Sequence, residues 1–268
     1  MQQRTMSKLL HKRYRKINAA FDDMHRHFTP DAIHDFRVQV KKLKALLHLF
    51  AAARKGRPVR KVPARLQKFY LLTGRIRTHQ LQAQAVAKDQ QPASVQAYMA
   101  LLQEHTLYLT TLAQQQSTAR HLFRKGEKRL AARLPRKLSR KKMRAFLQAS
   151  LQPLEAAGAH AAFPEETLHG IRKGLKDLQY TLPVLHKYAP GHTFQGAPLS
   201  EKALQELTGL IGDYLDTGIQ VQLIHSDRQA QAPDSQTAVS MHALENKWVA
   251  RRRALRRKIT EALQPPLS

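Results

Sequence analysis

The stretch Ile33-His-Asp-Phe-Arg-Val-Gln-Val-Lys-Lys-Leu-Lys-Ala-Leu-Leu-His-Leu-Phe50 returns 135 residues later as Leu168-His-Gly-Ile-Arg-Lys-Gly-Leu-Lys-Asp-Leu-Gln-Tyr-Thr-Leu-Pro-Val-Leu185. At this one offset His34 matches His169, Arg37 matches Arg172 and Lys41 matches Lys176. Apolar Phe36, Val40, Leu43, Leu47 and Phe50 match Ile171, Leu175, Leu178, Leu182 and Leu185. A chain that carries one amphipathic segment twice is expected to fold as two similar halves.

On a helix, with His34 at zero, Arg37, Lys41, Lys44 and His48 fall between about −20° and −80°, forming one polar stripe. The apolar set falls near 160° to 240°, on the opposite side, as a core-facing helix requires. The second copy repeats the pattern with His169, Arg172 and Lys176, with Tyr180 at the edge and Gln179 where the first copy has Lys44. Surface stripes usually mix acids with bases. These contain cations and histidines only, with Asp35 and Asp177 about 100° and 80° round from the stripe histidines. Each histidine also has an ordinary reading, as a hydrogen-bonding residue between helices.

Prolines and glycines divide the rest into helical stretches near 4–28, 30–53, 63–88, 93–134, 137–158, 164–188, 199–227 and 237–263, with no competing strand pattern. Leu10, Tyr14, Ile17, Phe21, Met24 and Phe28 recur at helical spacing, as do Leu204, Leu207, Ile211 and Tyr214. The expected architecture is all-α: two four-helix bundles, 1–135 and 136–268, related by a pseudo-twofold internal repeat. The third helices of the halves also align, at offset 138, with Gly74 facing Gly212.

The charge balance says what such stripes could meet. Lys and Arg number 46 against 19 Asp and Glu, a formal charge of +27. That excess calls for a polyanion or an anionic surface. Two further basic runs, residues 120–144 and Lys247–Lys258, contain Leu122, Leu130 and Leu134, and Leu244, Trp248, Leu255 and Ile259 at helical spacing; they read as ordered helices that extend the positive surface. With no cysteine, disulfides, thiolate metal sites and a cysteine nucleophile are excluded. No apolar run of about 18 residues occurs and the N-terminal residues lack a signal-peptide core, so the sequence reads as cytoplasmic.

His34-x-x-Arg37-Val38-x-x-Lys41-Lys42-Leu43-Lys44 and His169-x-x-Arg172-x-x-x-Lys176-x-Leu178-x-Tyr180 resemble the twin signatures of the CHAD domain, the conserved histidine α-helical domain. Gly74-Arg75-Ile76-Arg77 and Gly212-Asp213-Tyr214-Leu215-Asp216 look like two further elements of that family, with Thr78 where an Asp is common and Leu215 where a His is common. The resemblance implies a helical domain that binds inorganic polyphosphate, often at polyphosphate granules. The candidate contacts are His34, Arg37, Lys41, Lys42, Lys44, His48 and Arg77, with His169, Arg172, Lys173, Lys176, Tyr180 and Arg251.

Three other classes compete with this reading. RNA or DNA binding would explain the charge equally well. Single-strand readers, however, stack bases on aromatic rows, and neither stripe has one. A phosphoaccepting histidine is suggested only loosely by His169-Gly-Ile-Arg-Lys-Gly174. A polyphosphate hydrolase or kinase would need carboxylates holding Mg²⁺, and the stripes offer none. No catalysis, metal or cofactor is expected.

Overall fold

The computed structural model describes residues 1–53, 61–89, 95–116, 123–158, 164–188 and 200–263. Among these the chain is all-α, with nine helices: α1 Gln3–His27, α2 Pro30–Ala51, α3 Ala64–Lys88, α4 Gln96–Gln115, α5 Arg124–Ala131, α6 Arg140–Gly158, α7 Glu165–Tyr188, α8 Glu201–Gln229 and α9 Gln236–Leu263. Of the stretch expected as one helix over 93–134, the described residues include α4 and α5. Leu122 lies outside the described residues. None of the described helices is long and apolar enough to cross a membrane.

The chain divides into two compact units: Met1–Thr78 with His105–Ser150 and Lys176–Gly196, and His79–Glu104 with Leu151–Leu175 and Ala197–Ser268. Each draws on both sides of residue 135, and α3, α4, α6 and α7 each contribute residues to both.

In the first unit α1 and α2 form a tight helical hairpin. Phe28 ends α1 in the left-handed region at φ 47°, and its amide returns a hydrogen bond to the Met24 carbonyl. Thr29 then caps α2, accepting from the Ala32 amide at 3.2 Å, and Pro30 occupies the first turn, where a missing N–H costs nothing. A β-carbon at positive φ is unfavourable. Burial of the Phe28 ring offsets that cost. Below the hairpin, Phe21 packs edge-on against Phe36, Phe69 and Phe123, with ring centroids 5.1 to 5.8 Å apart. Every apolar residue placed on the inner face of α2 is buried, as are Leu10, Tyr14, Ile17 and Met24 of α1. The first residues of the chain are pinned by a bridge between Gln2 and Lys137 and by the terminal ammonium, which donates to the Leu138 carbonyl at 2.7 Å.

The second unit is centred on Val86, Val95, Tyr98, Leu102, Ile224, Met241, Leu244 and Trp248. Several of its polar groups are paired across helices. Gln82 donates to the Tyr98 hydroxyl at 3.0 Å and to the Gln220 carbonyl at 3.2 Å. The Trp248 indole donates to Asp89 at 2.8 Å, and Lys247 pairs with the same carboxylate at 2.6 Å. Burial raises the Asp89 pKa, but the hydrogen bonds from Lys247 and Trp248 and the nearby Arg251 outweigh it, so the carboxyl is held below its ordinary value.

Candidate anion-binding site

Helix α2 turns its basic stripe away from the core because Phe36, Val40, Leu43, Leu47 and Phe50 are all buried on its other side. His34 is exposed; Arg37, Lys41, Lys42, Lys44 and His48 are half-buried. Arg37 is held by two contacts to one residue. Its Nη1 donates to the Tyr70 carbonyl at 2.6 Å, and its guanidinium lies over the ring of the same tyrosine, 4.5 Å from the centroid. Lys44 reaches that ring too, with Nζ 3.7 Å from the centroid. A turn further along α3, Gly74 leaves room for the guanidinium: a β-carbon there would come within 2.7 Å of Arg37 Nη1. Buried Thr73 donates to the Phe69 carbonyl at 2.8 Å, and Thr78 donates to the Gly74 carbonyl at 3.1 Å. Thr78 therefore serves its own helix at the position where the CHAD signature commonly has Asp.

A second tyrosine gathers two more cations in this unit. Lys42 of α2 and Lys176 of α7 each place Nζ 5.8 Å from the Tyr180 centroid. Lys176 also donates to Gln179 at 3.1 Å. A ring face attracts cations. Burial lowers the pKa of Lys42, and Arg13 and Lys16 lower it further, with Asp35 opposing. Partial loss of hydration lowers that of His34 although the residue is exposed overall, followed by Arg77 and Lys41, against Asp35 and Asp31.

The α2 stripe has no carboxylate of its own, but Asp177 of α7 meets His48 Nδ1 at 2.5 Å. Helical angle alone kept Asp177 off its own stripe. It could not reveal that Asp177 would reach the neighbouring helix.

In the second unit Arg172 lies against Gly212, as Arg37 lies against Gly74. A β-carbon on Gly212 would lie 3.1 Å from Arg172 Nη2 and 3.3 Å from Nε. Asp216, one turn on, stands 4.0 Å from Nη2. Leu215, where a His is common, is buried in this chain. His169 and Lys173 are exposed on α7, and Arg251 is exposed on α9, where its charge acts on Asp89. Tyr70 was not among the residues expected from sequence. Its signal was its place four residues before Gly74, one turn away on the same helix face.

The CHAD domain family model matches residues 8–214. The chain belongs to the CHAD domain family. Among solved structures, it is similar to the CHAD domain from the plant Ricinus communis, with a TM-score of 0.75, 17% identity, and coverage of 98% of this chain and 91% of that one. It is also similar to PptA from Streptomyces chartreusis, with a TM-score of 0.68, 14% identity, and coverage of 98% and 99%. At these identities the likeness is one of fold. No curated protein matches this CHAD sequence.

Proposed function

We propose that the chain binds inorganic polyphosphate and does so without catalysis. The observation that carries this reading is the pairing of cations on tyrosine rings: Arg37 and Lys44 on Tyr70, Lys42 and Lys176 on Tyr180. Such pairs concentrate positive charge on fixed supports, and a polymer with one negative charge per phosphate and no bases needs little else. Stripe residues three, four and seven positions apart rise about 4.5, 6 and 10.5 Å along a helix, on the scale of successive phosphate units. Arginines fork two oxygens, lysines act as point charges, and His34 and His169 donate while neutral.

Nucleic acid is the weaker reading. Base stacking needs open aromatic faces, whereas Tyr70 and Tyr180 are engaged by cations. A purely binding role is supported by the carboxylates at the arrays. Asp177 is committed to His48 and Asp216 stands against Arg172, rather than gathering to hold a divalent ion. Association with polyphosphate granules follows as part of the same proposal. Calorimetric titration with long-chain polyphosphate, together with an assay for released orthophosphate, tests it. Saturable binding with no orthophosphate supports the reading; metal-dependent orthophosphate release overturns its non-catalytic part, and absence of binding overturns the whole.

A further inference from the structure

Helix α3 carries Tyr70-Leu-Leu-Thr-Gly74, and α8 carries Tyr214-Leu-Asp-Thr-Gly218, 144 residues on. The two segments do the same local work. Thr217, buried like Thr73, donates back to the carbonyl four residues earlier, at 2.7 Å. Tyr214 takes a guanidinium on its ring, as Tyr70 does: Arg252 of α9 lies 4.7 Å from the centroid, with Arg256 on the same ring at 5.8 Å. Gly218 makes the space, since a β-carbon there would stand 3.0 Å from Arg252 Nε and 3.2 Å from Nη2. The Tyr-x-x-x-Gly turn thus seats an arginine in each unit, Arg37 in one and Arg252 in the other.

The outer edge of Arg252 is held by Glu165 of α7, through Nη2 and Oε2. A carboxylate presents its two oxygens to a guanidinium much as a phosphate does. The Arg252 side chain is 30% exposed and that of Glu165 49%, so this pair is reachable from solvent.

We infer that Arg252 and Arg256 form a further phosphate-oxygen site in the second unit, with Glu165 as the built-in counter-ion that a polyphosphate segment displaces. This rests on the polyphosphate reading and adds to it a site and a means of weakening it. Displacing Glu165 costs part of the binding, so the carboxylate makes the site selective for ligands that bring several charges at once.

The test is titration of long-chain polyphosphate into the whole chain over a series of salt concentrations. R252Q/R256Q should lower affinity at least about tenfold and reduce the slope of log affinity against log salt by about 1 to 2. R253Q/R257Q removes two exposed cations from another face of the same helix and should cost clearly less. Glu165→Gln should raise affinity about two- to fivefold, a gain that impaired folding would not produce. Equal losses in the two double variants, or an unchanged or weaker Glu165→Gln, overturn the site while leaving the polyphosphate reading in place. If the unaltered chain fails to bind polyphosphate, the reading and the site fall together.

Discussion

Arg37 and Tyr70 are joined twice, by a 2.6 Å hydrogen bond from the guanidinium to the tyrosine's carbonyl and by the guanidinium lying over its ring. Two restraints on one side chain fix where its remaining donors can point. The arginine is therefore held in place before any anion arrives, which lowers the ordering cost of binding.

Gly74→Ala should disturb that seat without harming the fold. The added methyl meets the far end of a flexible side chain, and alanine favours the helix by about 1 kcal/mol. Polyphosphate affinity should fall about tenfold with an unchanged or slightly raised Tm. Gly126→Ala should do the reverse. Its methyl would lie 2.7 Å from two ring carbons of Pro63, which cannot swing aside, and a loss of about 1–3 kcal/mol should appear in denaturant unfolding.

Charge reversal of Arg37 together with Arg172 should weaken polyphosphate binding far more than the same change at two dispersed lysines, such as Lys8 and Lys202, both exposed. Equal losses would mean that bulk charge alone attracts the polymer.

The pH profile should carry the mark of His34. Partial loss of hydration, Arg77 and Lys41 hold its pKa below the usual value of about 6.5, whereas a bound polyanion acts in the opposite sense. Binding then takes up a proton, so affinity rises as pH falls and keeps rising below pH 6.5 instead of levelling there. Without ligand, the unfolded chain binds more protons than the folded one between the two pKa values. Acidification through about 6.5 therefore costs some stability, and the loss ends at the folded value. His34→Gln should flatten both trends in calorimetric titrations and thermal melts.

Much of this was readable in advance from period and spacing. Phe36, Val40, Leu43, Leu47 and Phe50 were placed on one face by the helical period alone, and all are buried. The stripe on α2 was likewise legible, because the position of the core face fixes the position of its opposite. Pairing across helices was not, since no periodicity within one helix reports its neighbours. His48 with Asp177 and Arg252 with Glu165 are of that kind. The offset of 138 brought Gly74 to Gly212, and it hid the Tyr-Leu-x-Thr-Gly match at Gly218, because α8 seats two arginines on glycines six residues apart. In the α9 run it is Arg252, next to Arg251, that reaches Tyr214.

Asp89 should govern acid stability in the second unit. Its pKa is lowered, so it adds stability above the unfolded value of about 3.9 that is lost as pH falls through the folded one. Asp89→Asn should cost about 1–2 kcal/mol at neutral pH and reduce that acid dependence, followed by the fluorescence of Trp248.

The most direct measurement is competition: nuclease-treated protein saturated with labelled long-chain polyphosphate in about 150 mM salt, challenged with RNA and duplex DNA at equal phosphate concentration. Retention of polyphosphate against both competitors is the predicted result, with retention lost in the Arg37 and Arg172 double reversal. Ready displacement by either nucleic acid would contradict the account and make the chain a general polyanion binder.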